Sequence, residues 1–214
     1  MPKIICFEGG EGSGKSTLIK NYAKKLCDEG YKVFCTREPG GTNIGEQIRN
    51  LIVSEKNSGM CPMTEALLFA ACRAQFVKDV IKPHIEANDV DYILMDRYIY
   101  SSYVYQGIVG GVGLDTVIDI NDKIIDCIYP DFTFYLDIDP IIGQERIRSN
   151  KRETNRFDNK AVEYHNEIRK IYLSLFVSPQ IRKNTKCLIV DASKTEQEIL
   201  NEVYSFVKEG KKIK

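Results

Sequence analysis

The sequence predicts an α/β fold: a five-stranded parallel sheet with helices on both faces. Three observations predict it. Short, continuously apolar runs at 4–7, 92–95, 132–136 and 187–190 suit strands buried on both sides, with 31–36 as the fifth. Stretches with apolar residues three and four apart separate these runs, as crossover helices do. A glycine-rich turn, Gly9-Gly10-Glu11-Gly12-Ser13-Gly14-Lys15-Ser16, follows the first run and precedes the first helical stretch. Glycines let such a turn aim successive N–H groups at phosphate oxygens, and the helix behind it adds its positive end.

After the turn, Leu18, Ile19, Tyr22, Ala23 and Leu26 form one helical face, and Gly30 stands where a left-handed cap ends a helix. The run 31–36 then completes a strand, loop, helix, strand unit. Long helices are expected over 64–85, 114–129 and 160–176. The stripe of the second is Val117, Ile118, Ile124, Ile125 and Ile128. An amphipathic helix over 195–211 turns Ile199, Val203, Phe206 and Val207 inward, and Lys211, Lys212 and Lys214 read as a solvated end.

With 214 residues, 43% of them hydrophobic, the chain suits one domain, 1–214. Thirty basic residues balance thirty acidic ones, so no charge footprint points to nucleic acid. The longest apolar run, 66–72, is far short of a membrane span, and a strand begins at once, so a cytoplasmic protein with no membrane partner is expected. Seven cysteines without paired spacing read as reduced, mostly buried thiols rather than ligands or nucleophiles. Two histidines, His84 and His165, offer little to a zinc site or a serine triad. N-K-x-D and D-x-x-G segments, by which guanine-nucleotide switches read their ligand, are absent.

Ligands of parallel sheets bind beyond the carboxyl ends of the strands, so chemistry is sought there. In the glycine turn, Lys15 supplies a mobile cation for outer phosphates and Ser16 a hydroxyl for magnesium. The second strand leads into Arg37-Glu38-Pro39-Gly40-Gly41-Thr42 and a short helix carrying Arg49. The third ends in Asp96-Arg97-Tyr98, a carboxylate placed as magnesium requires and followed by a cation; a salt bridge at a strand end has the same pattern. Phe69 and Arg73 lie one helical turn apart. That spacing suits equally a planar base stacked on the ring and bonded to the guanidinium, or an arginine reaching the helix edge beside a core phenylalanine. Ser101, Ser102, Tyr103, Tyr105 and Gln106 form a polar loop cluster ending at Gly107, able to bond a sugar or base edge. From 146 to 156, Arg146, Arg148, Lys151, Arg152 and Arg156 stand among polar residues. Such a run is solvated surface in general, but next to a phosphate site it reads as a lid that brings guanidinium groups over a transferring phosphoryl.

The ordered set Phe7-Glu8-Gly9-Gly10-Glu11-Gly12-Ser13-Gly14-Lys15-Ser16-Thr17, Thr36-Arg37-Glu38-Pro39-Gly40-Gly41-Thr42, Leu68-Phe69-Ala70-Ala71-Cys72-Arg73, Asp96-Arg97-Tyr98, Ser101-Ser102, Tyr105-Gln106-Gly107 and Tyr129-Pro130-Asp131 resembles the bacterial thymidylate kinases, within the nucleoside monophosphate kinases. The resemblance runs over nearly the whole chain. It implies a three-layer P-loop kinase fold with a short lid near 146–158, and transfer of the γ-phosphoryl group of ATP to dTMP, giving dTDP and ADP, with Mg2+ in a cytosolic homodimer. On that pattern Gly10, Glu11, Gly12, Ser13, Gly14, Lys15, Ser16 and Thr17 bind ATP, and Ser16 and Asp96 hold the metal. Phe69 and Arg73 take the thymine, with Ser102 and Gln106 adding contacts, and Tyr105 lies where a 2′-hydroxyl would be. Glu38, Arg49 and Arg97 hold the acceptor's sugar and phosphate. Lys15, Glu11, Arg97 and a lid arginine, Arg152 or Arg156, form the catalytic set.

Overall fold

Each apolar run becomes a strand of one sheet: β1 (Lys3–Gly9), β2 (Val33–Arg37), β3 (Tyr92–Asp96), β4 (Phe132–Asp137) and β5 (Lys186–Asp191). All pairings are parallel, in the order β2-β3-β1-β4-β5. The structure is a computed structural model that describes residues 1–149, 157 and 160–209. The helices are α1 (Lys15–Asp28), α2 (Asn43–Val53), α3 (Pro62–Phe76), α4 (Lys82–Ala87), α5 (Ile99–Ser102), α6 (Leu114–Ile125), α7 (Pro140–Ser149), α8 (Val162–Val177), α9 (Pro179–Arg182) and α10 (Glu196–Glu209).

Alternation along the strands divides the interior in two. Ile5 and Phe7 of β1 pack with Leu18, Tyr22, Val203 and Phe206 of α1 and α10. Ile4 and Cys6 face the other way, toward Phe76, Val117, Tyr172 and Phe176 of α3, α6 and α8. This is the predicted sheet with helices on both faces. Gly30 adopts φ +90 at the end of α1, where Tyr31 N donates to Leu26 O at 3.1 Å, as a left-handed cap requires.

Several expectations shift. The edge strand β2 begins two residues late because the Asp91 carboxylate takes Lys32 N at 2.7 Å, and its residues stay partly open instead of buried on both faces. The helix expected over 64–85 starts at Pro62 and passes through a wider turn, Val77–Ile81, before α4. Pro83 has no N–H for the carbonyl four residues back, and a π-turn accommodates that gap. α6 ends at Ile125, four residues early, with Asp126 and Cys127 at positive φ.

The expected polar loop at 101–107 is instead helical, α5 continuing through a second π-turn, Tyr103–Val109. Its opening N–H groups are capped from β1: Glu8 Oε1 accepts from Tyr98 N at 3.0 Å and Ser101 N at 3.2 Å. The basic segment expected from 146 begins inside α7, which carries Arg146 and Arg148 in its last turn.

All seven cysteines are free, as expected, but only Cys6 and Cys72 are buried. Cys35 lies on the edge strand, and Cys61 and Cys127 fall just outside helices, where helical periodicity gives no guide to burial.

Candidate active site

The glycine turn closes the carboxyl end of β1. Gly12 and Gly14 take φ +72 and +89, and α1 begins at once with no side chain capping its first turn. Those N–H groups are therefore available to an anion. A side chain at Gly12 would meet the Gly143 carbonyl at 2.1 Å, so two glycines let the turn lie directly on α7. Lys15 Nζ donates to Gly9 O at 3.1 Å and Gly10 O at 3.0 Å, folded back over the turn. Burial, reinforced by the Arg97 charge, pulls its ammonium below the usual lysine range.

At the end of β3, Arg97 adopts a left-handed φ of +70, a geometry that a residue with a Cβ takes up at a cost. Two bonds to β1 hold it: Arg97 N donates to Phe7 O at 3.0 Å, and the next N–H reaches Glu8. Glu8 is fully buried and also accepts from Ser101 Oγ at 2.6 Å and Tyr172 Oη at 3.0 Å. One carboxylate on β1 thus joins the β3 turn, α5 and α8. The turned Arg97 pairs with Glu11 at 2.6 Å, donates to Ser101 Oγ at 3.1 Å and lies over the Tyr105 ring.

Asp96 and Ser16 meet: Ser16 Oγ donates to Asp96 Oδ2 at 2.9 Å. Both donors are oxygens and only one is charged. That set suits a hard cation such as Mg2+, which keeps waters and takes phosphate oxygens as further ligands. Among the described residues no group of three or more His, Cys, Asp or Glu side chains is placed to hold a metal ion.

Along α3, Phe69 faces the cavity while Arg73 lies behind it, 1% exposed. Its guanidinium is fully engaged: Nε and Nη2 bond Glu38 Oε2 at 2.7 and 2.6 Å, Nη1 bonds Ser102 Oγ at 3.0 Å and Asn121 Oδ1, and Nη2 also reaches Tyr98 O at 3.2 Å. Burial pushes the Glu38 carboxyl up to about 7, against the Arg73 charge and hydrogen bond that oppose it. Its Oε1 has no partner among the described residues. Arg49 donates to Pro39 O at 2.9 Å from α2, a helix capped by Thr42 Oγ1.

One cavity of about 690 Å³ gathers these groups. Glu11, Gly12, Ser13, Gly14, Lys15, Ser16 and Thr17 line one part, and Glu38, Arg49, Phe69, Tyr105 and Gln106 another, with Asp96 and Arg97 between. Gly10, Arg73 and Ser102 of the expected set stand behind the walls. Arg152 and Arg156 lie outside the described residues.

A family model described as Thymidylate kinase matches residues 7–203. The chain belongs to the thymidylate kinase family. Its activity is that of a dTMP kinase, phosphorylation of dTMP to dTDP with ATP as donor. The thymidylate kinase of Geobacillus sp. (strain WCH70) is 41% identical over 198 residues, 92% of this chain and 91% of that protein. That of Clostridium novyi (strain NT) is 40% identical over 208 residues, 96% of this chain and 98% of that one. A crystal structure of thymidylate kinase from Ehrlichia chaffeensis superposes with a TM-score of 0.73 at 28% identity, covering 96% and 98% of the two chains.

Sequence reasoning missed most of the far end of this dTMP kinase cavity, where Asn21, Ala192 and Lys194 join Arg146, which it named in the basic segment. Ala192 and Lys194 directly follow β5, so the strand-end rule applied to that strand as well would have found them. It also missed Glu65 and Asn121, which touch site residues from other helices and carry no local signature.

Proposed function

We propose that both substrates occupy this one cavity, with the ATP phosphates on the glycine turn and dTMP against Phe69, Tyr105 and Gln106. The observation that carries the reading is continuity: the anion-binding turn and the aromatic, polar end share one space, and Arg97 stands between them. Gly10 to Thr17 hold the triphosphate, with Lys15 free to swing from the Gly9 and Gly10 carbonyls onto its outer oxygens. The adenine end points toward Asn21, Arg146, Ala192 and Lys194.

Ser16 and Asp96 would hold Mg2+, which when bound supplies charge neutralisation at the phosphates. On the acceptor side Phe69 stacks on thymine, Gln106 meets its edge, and Arg73 and Ser102 back that surface from behind. Tyr105 fills the space beside the sugar. Glu38, Arg49 and Arg97 hold the sugar and phosphate. Two phosphates repel, so Lys15, Arg97 and one of Arg152 and Arg156 gather cations that hold donor and acceptor in line, while Glu11 orients Arg97.

The chain acts as a homodimer in the cytoplasm. Ile44 and Leu51 of α2 and Met63 and Leu67 of α3 are 41–52% exposed, an apolar set that a second copy would cover. No helix among the described residues is long and apolar enough to cross a membrane.

The test is a coupled assay of the purified chain with ATP, Mg2+ and each of dTMP, dUMP, UMP, CMP and AMP. Fastest turnover of dTMP is expected. Equal rates across the panel would remove Phe69, Tyr105 and Gln106 from the acceptor site.

A further inference from the structure

Glu65 lies on α3 one turn before Phe69 and two before Arg73. Its Oε1 accepts from Gln106 Nε2 at 2.8 Å. Gln106 is 2% exposed, sits on the π-turn Tyr103–Val109 and lines the cavity. A carboxylate offers only acceptors, so it meets the NH2 side of the amide and turns the carbonyl side away. Among the described residues no donor reaches Gln106 Oε1.

The neighbouring Arg73 guanidinium is engaged on every nitrogen. Arg73 donates from Nε to Glu38, from Nη1 to Ser102 and Asn121 and from Nη2 to Tyr98 O, with Nη2 also ion-paired to Glu38, and Ser102 Oγ accepts from Arg73. Beside Phe69 the Gln106 amide oxygen is a cavity-side acceptor that takes no hydrogen bond among the described residues, whereas Glu38 Oε1, also without a partner among them, is buried. An oxygen fixed at a base edge accepts from a ring N–H, which thymine and uracil carry at N3. It opposes the lone pair that cytosine carries at the same position.

We propose that Glu65 is a positioning residue: it locks the Gln106 amide with its carbonyl toward the acceptor base, so the site selects a pyrimidine with a ring N–H over one with a ring lone pair. The inference rests on the proposed placement of dTMP against Phe69 and Gln106. Without Glu65 the amide is free to rotate and offer NH2 to cytosine, at no cost in a charge-assisted hydrogen bond.

The test measures dissociation constants of dTMP, dUMP and dCMP by calorimetry for wild type, Glu65→Gln, Glu65→Asp and Gln106→Leu. Glu65→Gln can accept or donate, and the preference for dTMP over dCMP should fall roughly tenfold or more. The dTMP to dUMP ratio should stay fixed, because both bases carry the N3 hydrogen, and Glu65→Asp should keep most of the dCMP rejection. An unchanged dTMP to dCMP ratio in Glu65→Gln, with Gln106→Leu altering it, overturns the role of Glu65 while leaving the base site standing. Equal weakening of all three ligands by Glu65→Gln also overturns it, as a packing defect. If Gln106→Leu leaves dTMP affinity unchanged, the placement of the base itself fails, and this inference with it.

Discussion

Ser16 Oγ and Asp96 Oδ2 lie 2.9 Å apart although 80 residues separate them, which joins the first turn of α1 to the end of β3. A hydroxyl and a carboxylate so placed offer two oxygens to the proposed Mg2+ beside the glycine turn. Asp96→Asn removes the charged one of the two. It should lower kcat by roughly a hundredfold or more and move the Mg2+ requirement to higher concentration. A magnesium titration of turnover checks this; an unaltered titration with normal kcat removes Asp96 from the metal site.

Lys15 carries its charge into a buried position on the turn, where among the described residues the Gly9 and Gly10 carbonyls and Ser13 Oγ accept from it. Lys15→Ala should reduce kcat by about 10³-fold or more, with the thermal transition little changed. Turnover near the wild-type level would mean that phosphoryl transfer occurs elsewhere.

Arg73 backs the wall of the proposed base site and is half of a buried ion pair with Glu38. Arg73→Ala leaves that carboxyl buried without its cation, and a loss of about 3–5 kcal/mol in unfolding free energy is expected. Replacing both members, Arg73→Leu with Glu38→Leu, should recover part of it. In kinetics Arg73→Ala should raise the dTMP KM while the ATP KM moves little. Equal weakening of both substrates would speak against a base-side role.

Burial raises the Glu38 carboxyl from its usual 4.5 to about 7, so the folded chain binds this proton more tightly than the unfolded chain does. The contribution to stability is complete below the unfolded value and is lost as pH rises through the folded one, so stability should fall across that window. Denaturant midpoints of wild type and Glu38→Gln, followed from about pH 4.5 to about pH 7.5, check it. The wild-type curve should decline relative to the variant; parallel curves would show that Glu38 holds no extra proton in the folded state.

Much of this molecule is legible in local patterns. Five short apolar runs suffice for the strands because a sheet covered on both faces needs no alternation, and the phosphate turn is one contiguous segment whose glycines act on neighbouring peptide groups. The strand-end rule then points to Glu38, Asp96 and Arg97 without coordinates.

Residues 101–107 mark the boundary of that legibility. Their serines, tyrosines and glutamine read as a loop, yet they are helical because Glu8, about ninety residues earlier, caps their N–H groups. Arg73 leaves two readings open in sequence. In the folded chain it is buried, with its donors divided among Glu38, Ser102, Asn121 and Tyr98, and Gln106 takes its orientation from Glu65. The sequence by itself determined the strands, the order of the chemistry-bearing turns and the family, since periodicity and tight turns are short-range consequences of backbone geometry. Tertiary structure alone decided which buried polar groups pair. A desolvated donor or acceptor takes whatever partner the packed elements bring within about 3 Å, and nothing in its own neighbourhood along the chain names that partner.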